Sequence, residues 1–279
     1  MNDAREPRDA WAPLERTGET DLWRGRLTGE DRSVVAMRRF WHRIPHGPRC
    51  KVCAAPFDGV GGLVTRVVQH GRSTANPTMC GMCFGHLADH PGGAEIDISI
   101  IFADIRGSTA IAESIGPASF RTALQTFYQL AARAIEDNGG SVDKYLGDGV
   151  MALFIPVIAG EGHAECAVAA AVAIVEAVER SSLPASGIRV GAGVQRGTAF
   201  VGVLGSGDRL DFSALGDPVN VAARLGALAA AGEVLASAEV WGDAEPNVVG
   251  ERRTVEIAGR QEPLDVVSIR PAGELAAAS

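Results

Sequence analysis

Ile96-Asp-Ile-Ser-Ile-Ile-Phe-Ala-Asp104 is the stretch on which the fold turns. Ile96, Ile98, Ile100 and Phe102 alternate with Asp97, Ser99, Ile101 and Ala103, so the segment reads as a mostly buried strand ending at Asp104. Downstream, Phe120, Leu124, Phe127, Tyr128, Ala131 and Ile135 recur at helical spacing, and Asn138-Gly139-Gly140 closes that helix. Val142 to Leu146 and Val150 to Phe154 flank Gly147-Asp148-Gly149, which reads as a β-hairpin. A second helix is expected from about Glu161 to Arg180, and strands over Ile188 to Gly193, Thr198 to Leu204 and Asp211 to Leu215. Asp217-Pro218 then opens a helix to about Ala230, with Asp suited to the cap and Pro to the first turn. The order βαββαβ plus extras predicts an α/β (α+β) domain: a ferredoxin-like antiparallel sheet with helices on one face.

Upstream the character changes. Residues 1–45 are charged, carry Trp11, Trp23 and Trp41, and allow a helix from Arg32 to Trp41. Residues 46–91 are rich in Gly, Pro, Asn and Ser, with little periodicity, and hold four of the five cysteines. So little apolar material needs a staple, which a metal ion supplies. The catalytic unit is expected over 92–279.

The formal charge of −8 argues against bulk nucleic-acid binding. Between Arg32 and Arg72, however, eight Lys/Arg face one acid, Asp58, which reads as a solvated basic face or as a docking patch for an acidic partner. The first residues lack an apolar signal segment, and no run of about 18 apolar residues occurs, so a cytoplasmic chain with no membrane span is expected.

Cys50-x-x-Cys53 and Cys80-x-x-Cys83, with 26 residues between them, resemble a zinc ribbon with four thiolates around one Zn²⁺. An iron–sulfur cluster is the alternative, since Cys₄ serves both, and free thiols are the plain one. His70, His86 and His90 lie nearby. Cys166 follows His163 by three residues, but a small buried Cys fits an Ala-rich helix better than a ligand does. Tyr145 and Phe154 read as core residues rather than nucleotide-stacking ones.

Two carboxylates are the candidates for the chemistry, a capping or turn role being the plain reading of either alone. Asp104 ends the first strand and Asp148 sits in the hairpin turn, and packing of hairpin on strand brings them together. Paired carboxylates suit Mg²⁺ or Mn²⁺ shared with substrate phosphates. Gly107-Ser108-Thr109 open a helix whose free N–H groups suit phosphate. Asn220 and Arg224, four apart, point the same way from their helix and suit a sugar and a phosphoryl group, or form a solvent-facing polar stripe.

Phe102-Ala-Asp-Ile-Arg-Gly-Ser-Thr109, Asp143-Lys-Tyr-Leu-Gly-Asp-Gly-Val-Met-Ala-Leu-Phe154 and Asp211-Phe-Ser-Ala-Leu-Gly-Asp-Pro-Val-Asn-Val-Ala-Ala-Arg-Leu225 together resemble the class III adenylate/guanylate cyclases, over roughly residues 96–270. The resemblance implies that Asp104, Asp148 and the carbonyl of Ile105 hold two metal ions. It implies that Lys144 reads adenine, with Ser213 at the second base-reading position. Asn220 would position the ribose and Arg224 stabilise the α-phosphate. Where many members have a phosphate-binding Lys, Ala258 aligns, and Arg260 is the substitute. Family members split these residues between two chains, so a homodimer making cyclic AMP from ATP is expected. A guanylate cyclase, a catalytically silent nucleotide-binding module and a zinc-dependent interaction protein are the alternatives, and the Gly-Gly-Asp/Glu-Glu-Phe signature of diguanylate cyclases is absent.

Overall fold

The computed structural model describes residues 17–44, 48–68, 70–205, 209–243, 250–257, 259–260 and 262–271. Trp11 and Ala258, named above, lie outside them.

Four helices lead the chain: α1 (Thr17–Thr28), α2 (Arg32–His42), α3 (Gly59–Val67) and α4 (Gly81–Asp89). The predicted unit follows, as β1 (Gly93–Ile105), α5 (Ser108–Ile115), α6 (Pro117–Asp137), β2 (Ser141–Leu146), β3 (Gly149–Phe154), α7 (Pro156–Ala159), α8 (His163–Glu179) and β4 (Val190–Leu204). Next come β5 (Asp211–Leu215), α9 (Asp217–Leu228), β6 (Val234–Ser237), α10 (Ala238–Asp243), β7 (Gly250–Val255) and β8 (Leu264–Ile269). The sheet runs β2-β3-β1-β4-β6-β8-β7, with β5 on the C-terminal half of β4. The first four strands take the ferredoxin-like order, and among the pairings only β4–β6 is parallel.

The alternation of β1 divides two cores. Ile101, Ala103 and Ile105, with Val150, Ala152 and Phe154, face the apolar sides of α6 and α8. Ile96, Ile98 and Ile100, with Met151 and Leu153, face the other way. The second face is not open, as helices on one face alone would leave it. Trp23 and Leu27 of α1, Trp41 of α2, and Phe57, Met79 and Leu87 cover it, while α9 covers its far end through Ala222. The cysteine segment therefore shares a core with the sheet.

Three expectations need correcting. Segment 46–91 holds two helices, α3 and α4. α3 is masked in the sequence by glycines that a close approach requires: a Cβ on Gly62 would lie 2.4 Å from the Phe57 carbonyl oxygen. The two strands expected around 188–204 are one strand, since the polar run Gln195-Arg196-Gly197 continues the ladder with β1. Phe154 is core, but Tyr145 is 46% exposed and packs at a tilt on Tyr128 with ring centroids 4.2 Å apart.

Candidate functional site

The register of β1 and β3 pairs Asp104 with Gly149, and the Ile105 N–H donates to the Asp148 carbonyl at 3.1 Å. Asp104 and Asp148 are thus neighbours at the end of the sheet. Gly147 makes the turn possible by taking φ +67°, a left-handed value that costs glycine little. Tyr128 donates its hydroxyl hydrogen bond to the Gly147 carbonyl and pins the turn to α6. Burial raises the pKa of that phenol, and the Asp148 charge adds to the shift.

The Asp104 carboxylate attracts a cation: the Arg106 guanidinium pairs with it. Arg106 also donates from Nη1 to the carbonyls of Ala227, at 2.8 Å, and Ala229, at 3.2 Å, at the end of α9. Burial lowers the Arg106 pKa and the Asp148 charge opposes that shift. Gly107 (φ +67°) begins α5, and no side chain caps it, so the N–H groups of Ser108 and Thr109 point free of the helix. Two carboxylates and the adjacent Ile105 carbonyl form an all-oxygen set, which fits Mg²⁺ or Mn²⁺.

A second cluster surrounds Lys144. A β-bulge between Val142 and Lys144 frees Asp143 from the ladder and turns it inward. Its carboxylate, fully buried, accepts from Ser213 Oγ at 2.6 Å and lies 3.3 Å from Lys144 Nζ. Lys144 is 37% exposed at the rim, whereas Ser213 is buried. Asp143, Lys51, Asp211 and Asn76 complete this cluster and were not singled out from the sequence. Asp143 opens the second quoted motif, but its role as a buried partner had no signal beyond a charge inside a strand.

Asn220 and Arg224 are both exposed on α9. The helix is seated against β4 through glycines: a Cβ on Gly193 would lie 2.1 Å from the Gly226 nitrogen. Arg260 donates to Asp217 at 2.7 Å, which ties the C-terminal loop to the start of α9. No hydrogen bond or ion pair joins the Asp104/Asp148 pair to Lys144 or Ser213 among the described residues.

The third cluster is sulfur. Cys50, Cys53, Cys80 and Cys83 are buried, with all four Sγ atoms within 4.8 Å of one another. Cys50 and Cys53 bracket a tight loop, in which Cys50 N–H donates to Ala55 O (2.9 Å) and Ala54 N–H to Cys50 O (2.8 Å). Cys80 caps α4, where the helix dipole favours a thiolate. Without a metal the thiols compete. Hydrogen bonding with Cys50 is the largest cause that pushes Cys53 and Cys83 up and Cys80 down. His70 Nδ1 is 3.4 Å from Cys80 Sγ, while His86 and His90 pair with each other instead. Arg38 is buried beside the thiols and donates to the Val52 carbonyl, and burial brings its pKa down to about 10 against the pull of Cys50 and Cys53. Arg38, Arg49 and Lys51 of the basic run thus turn inward, where the sequence suggested a solvated face.

His163 and Cys166 form no ligand pair: His163 Nδ1 is 2.9 Å from Ser99 Oγ and burial lowers its pKa. A cavity of about 470 Å³ lies beside them, lined by Arg24, Asp97, His163 and Arg196, away from every carboxylate–phosphate element above. Among the described residues, no helix is long and apolar enough to cross a membrane.

The fold is a mostly antiparallel α+β domain with an appended cluster of four cysteines. Residues 94–266 match the family model described as the adenylate and guanylate cyclase catalytic domain. The chain belongs to that family. An adenylate cyclase of Anabaena cylindrica is 35% identical over 139 residues, 46% of this chain and 26% of that protein. Adenylate cyclase 1 of Rhizobium meliloti is 34% identical over 134 residues, 46% of this chain and 20% of that one. The match thus spans about a quarter or less of these relatives. Among solved structures, the guanylyl cyclase Cya2 is 27% identical with a TM-score of 0.60, covering 66% of this chain and 96% of that one. The adenylyl cyclase CyaB of P. aeruginosa shares the fold at 24% identity and TM-score 0.60, over 66% of this chain and 98% of that one.

Proposed function

We propose that two copies of this chain form an adenylate cyclase that converts ATP to 3′,5′-cyclic AMP and pyrophosphate. The observation that carries the reading is the juxtaposition of Asp104 and Asp148 by the β1–β3 register, in a chain that also exposes Asn220 and Arg224 on α9. Asp104, Asp148 and the Ile105 carbonyl would hold two divalent ions, whose charge lowers the pKa of the ribose 3′-hydroxyl and offsets that of the departing pyrophosphate. The free N–H groups of Ser108 and Thr109 bind phosphate oxygens. Asn220 orients the ribose, and Arg224 neutralises charge that grows on the α-phosphate. Lys144 donates to adenine N1, an acceptor, where guanine N1–H would oppose a second donor. Arg260, ion-paired with Asp217, is the remaining cation for the terminal phosphates.

Among the described residues no hydrogen bond or ion pair joins the two sets within one chain, which suits a two-fold homodimer with each site shared. Guanylate cyclase is the second reading, favoured by the likeness to Cya2 and by Ser213, whose hydroxyl serves either base. In the cysteine centre, Cys53 and Cys80 Sγ are 3.7 Å apart. Tetrahedral Zn²⁺ with bonds of about 2.3 Å places sulfurs about 3.8 Å apart. With all four sulfurs within 4.8 Å of one another there is room for a single ion, which favours Zn²⁺ over an iron–sulfur cluster.

The test is turnover of ATP and GTP by the full chain with Mn²⁺ and then Mg²⁺, with products read by mass spectrometry. Asp104→Ala and Arg224→Ala should each abolish cyclic AMP. Mixed in equal amounts they should restore about a quarter of wild-type activity, since half the dimers carry one intact site. No cyclic product from the metal-replete chain would sink the reading, and no restoration would sink the shared site.

A further inference from the structure

Asp143 is a charge sealed inside the protein, and such a charge persists only with partners. Ser213 and Lys144 are two of them. The third comes from the cysteine module: Lys51 Nζ lies 3.5 Å from Asp143 Oδ1 and also pairs with Asp211, with only 4% of its side chain exposed. Asp211 accepts in addition from Asn76 Nδ2 at 3.0 Å, and Asn76 Nδ2 donates to the Leu210 carbonyl at 3.1 Å.

The position of these two residues in the chain matters. Lys51 stands between Cys50 and Cys53, and its N–H donates to the Thr78 carbonyl at 3.1 Å, two residues before Cys80. The segments that carry the cysteines are therefore the ones that grip β2 and β5. The space beneath them is about 10 Å³, lined by Lys51, Asp143 and Phe212 among others, enough for one water at most.

We infer that Lys51 and Asn76 are positioning residues for base recognition, held by the cysteine centre and acting through Asp143 and Asp211 on Ser213 and Lys144. The inference rests on the cyclase reading for its meaning. Lys144 lies 3.3 Å from Asp143 and 3.9 Å from Asp211, so with Lys51 in place both carboxylates have another cation. With Lys51 gone, two carboxylates compete for the Lys144 ammonium and draw it off the base. Loss of the ion from the cysteine centre loosens the loop that aims Lys51 and has the same result.

The experiment compares Lys51→Met, Lys51→Arg and Cys53→Ser with wild type in the full chain. Lys51→Met should lower the ATP-over-GTP preference in kcat/KM by about tenfold or more, the range expected when a base-directed hydrogen bond is lost. Lys51→Arg should keep most of the preference. Inhibition by inorganic tripolyphosphate, which needs no base site, should stay at the wild-type value. Cys53→Ser should reproduce the shift, and combining it with Lys51→Met should add little. Independently of turnover, hydrogen exchange at 141–146 and 211–215 should quicken about tenfold in Lys51→Met while β6 is unchanged. A wild-type base preference with wild-type exchange in Lys51→Met overturns the inference. So does an equal loss of nucleotide and tripolyphosphate binding, which marks general unfolding. A wild-type chain that makes no cyclic nucleotide defeats the cyclase reading, and exchange alone then decides whether the grip on β2 and β5 exists.

Discussion

Asp143→Ala should be among the most damaging single substitutions in the sheet. It removes a fully buried carboxylate and leaves Lys51, 4% exposed, with Asp211 alone, while Ser213 loses its acceptor at 2.6 Å. Breaking a buried ion pair costs about 3–5 kcal/mol. The remaining Asp211 puts the cost near the lower end, about 3 kcal/mol, and the stranded hydroxyl adds about 1 kcal/mol. A total near 4 kcal/mol is a large part of the roughly 5–15 kcal/mol that keeps a domain folded. Urea unfolding of the metal-loaded chain should show a lower midpoint with an unchanged slope. Lys51→Met combined with Asp143→Leu should cost about 2–3 kcal/mol less than the sum of the single changes, because no charge is then left unpaired. A loss under about 1 kcal/mol for Asp143→Ala, or strict additivity in the cycle, would refute the buried-pair argument.

Glu136 should respond to pH in the opposite sense to a salt-bridged acid. Burial raises its pKa to about 6 from 4.5, against the pull of Arg49, so its ionisation opposes folding as pH rises through that window. Glu136→Gln should stabilise the chain by up to about 2 kcal/mol at pH 7, with the gain fading towards pH 4, as thermal melts across pH will show. Gly193→Ala should force α9 off β4, because its Cβ would meet the Gly226 nitrogen at 2.1 Å; a cost of about 3 kcal/mol and a fall in turnover through Arg224 are expected from melts and assays on one preparation. The cysteine centre should carry one zinc per chain by elemental analysis. Cys83→Ser or chelation should remove it and lower the melting temperature, whereas iron with acid-labile sulfide would mark a cluster instead.

The parts of the fold that were legible are those with a local rule. The alternation from Ile96 to Phe102, the Gly147-Asp148 turn and the Asp217-Pro218 helix start each announce themselves within a few residues. β6, β7 and β8 were seen only as extras after the core, since Val234–Ser237 is four residues long and Gly250–Val255 is mostly polar. In the cysteine module, α3 hides behind glycines that packing demands, Gly61 and Gly62. In the site, Asp104, Asp148, Asn220 and Arg224 stand in short motifs. Lys51 and Asn76 do not, and Asp143 and Asp211 open two of those motifs with no role legible there: their partners lie up to 160 residues away, so only the folded chain brings them together.

The seam between the cysteine module and the sheet holds two of the protein's four tryptophans. Trp23 lies over Phe212, with centroids 6.4 Å apart, next to Ser213 in β5, and Trp41 lies 5.5 Å from the ring of His70 beside the sulfurs. Both indoles are 6% exposed, so the molecule carries its own optical gauge. Emission from Trp41 should follow the state of the cysteine centre, and emission from Trp23 the strand that bears Ser213. Single-tryptophan variants would let a fluorimeter time how quickly news of a lost ion crosses the seam.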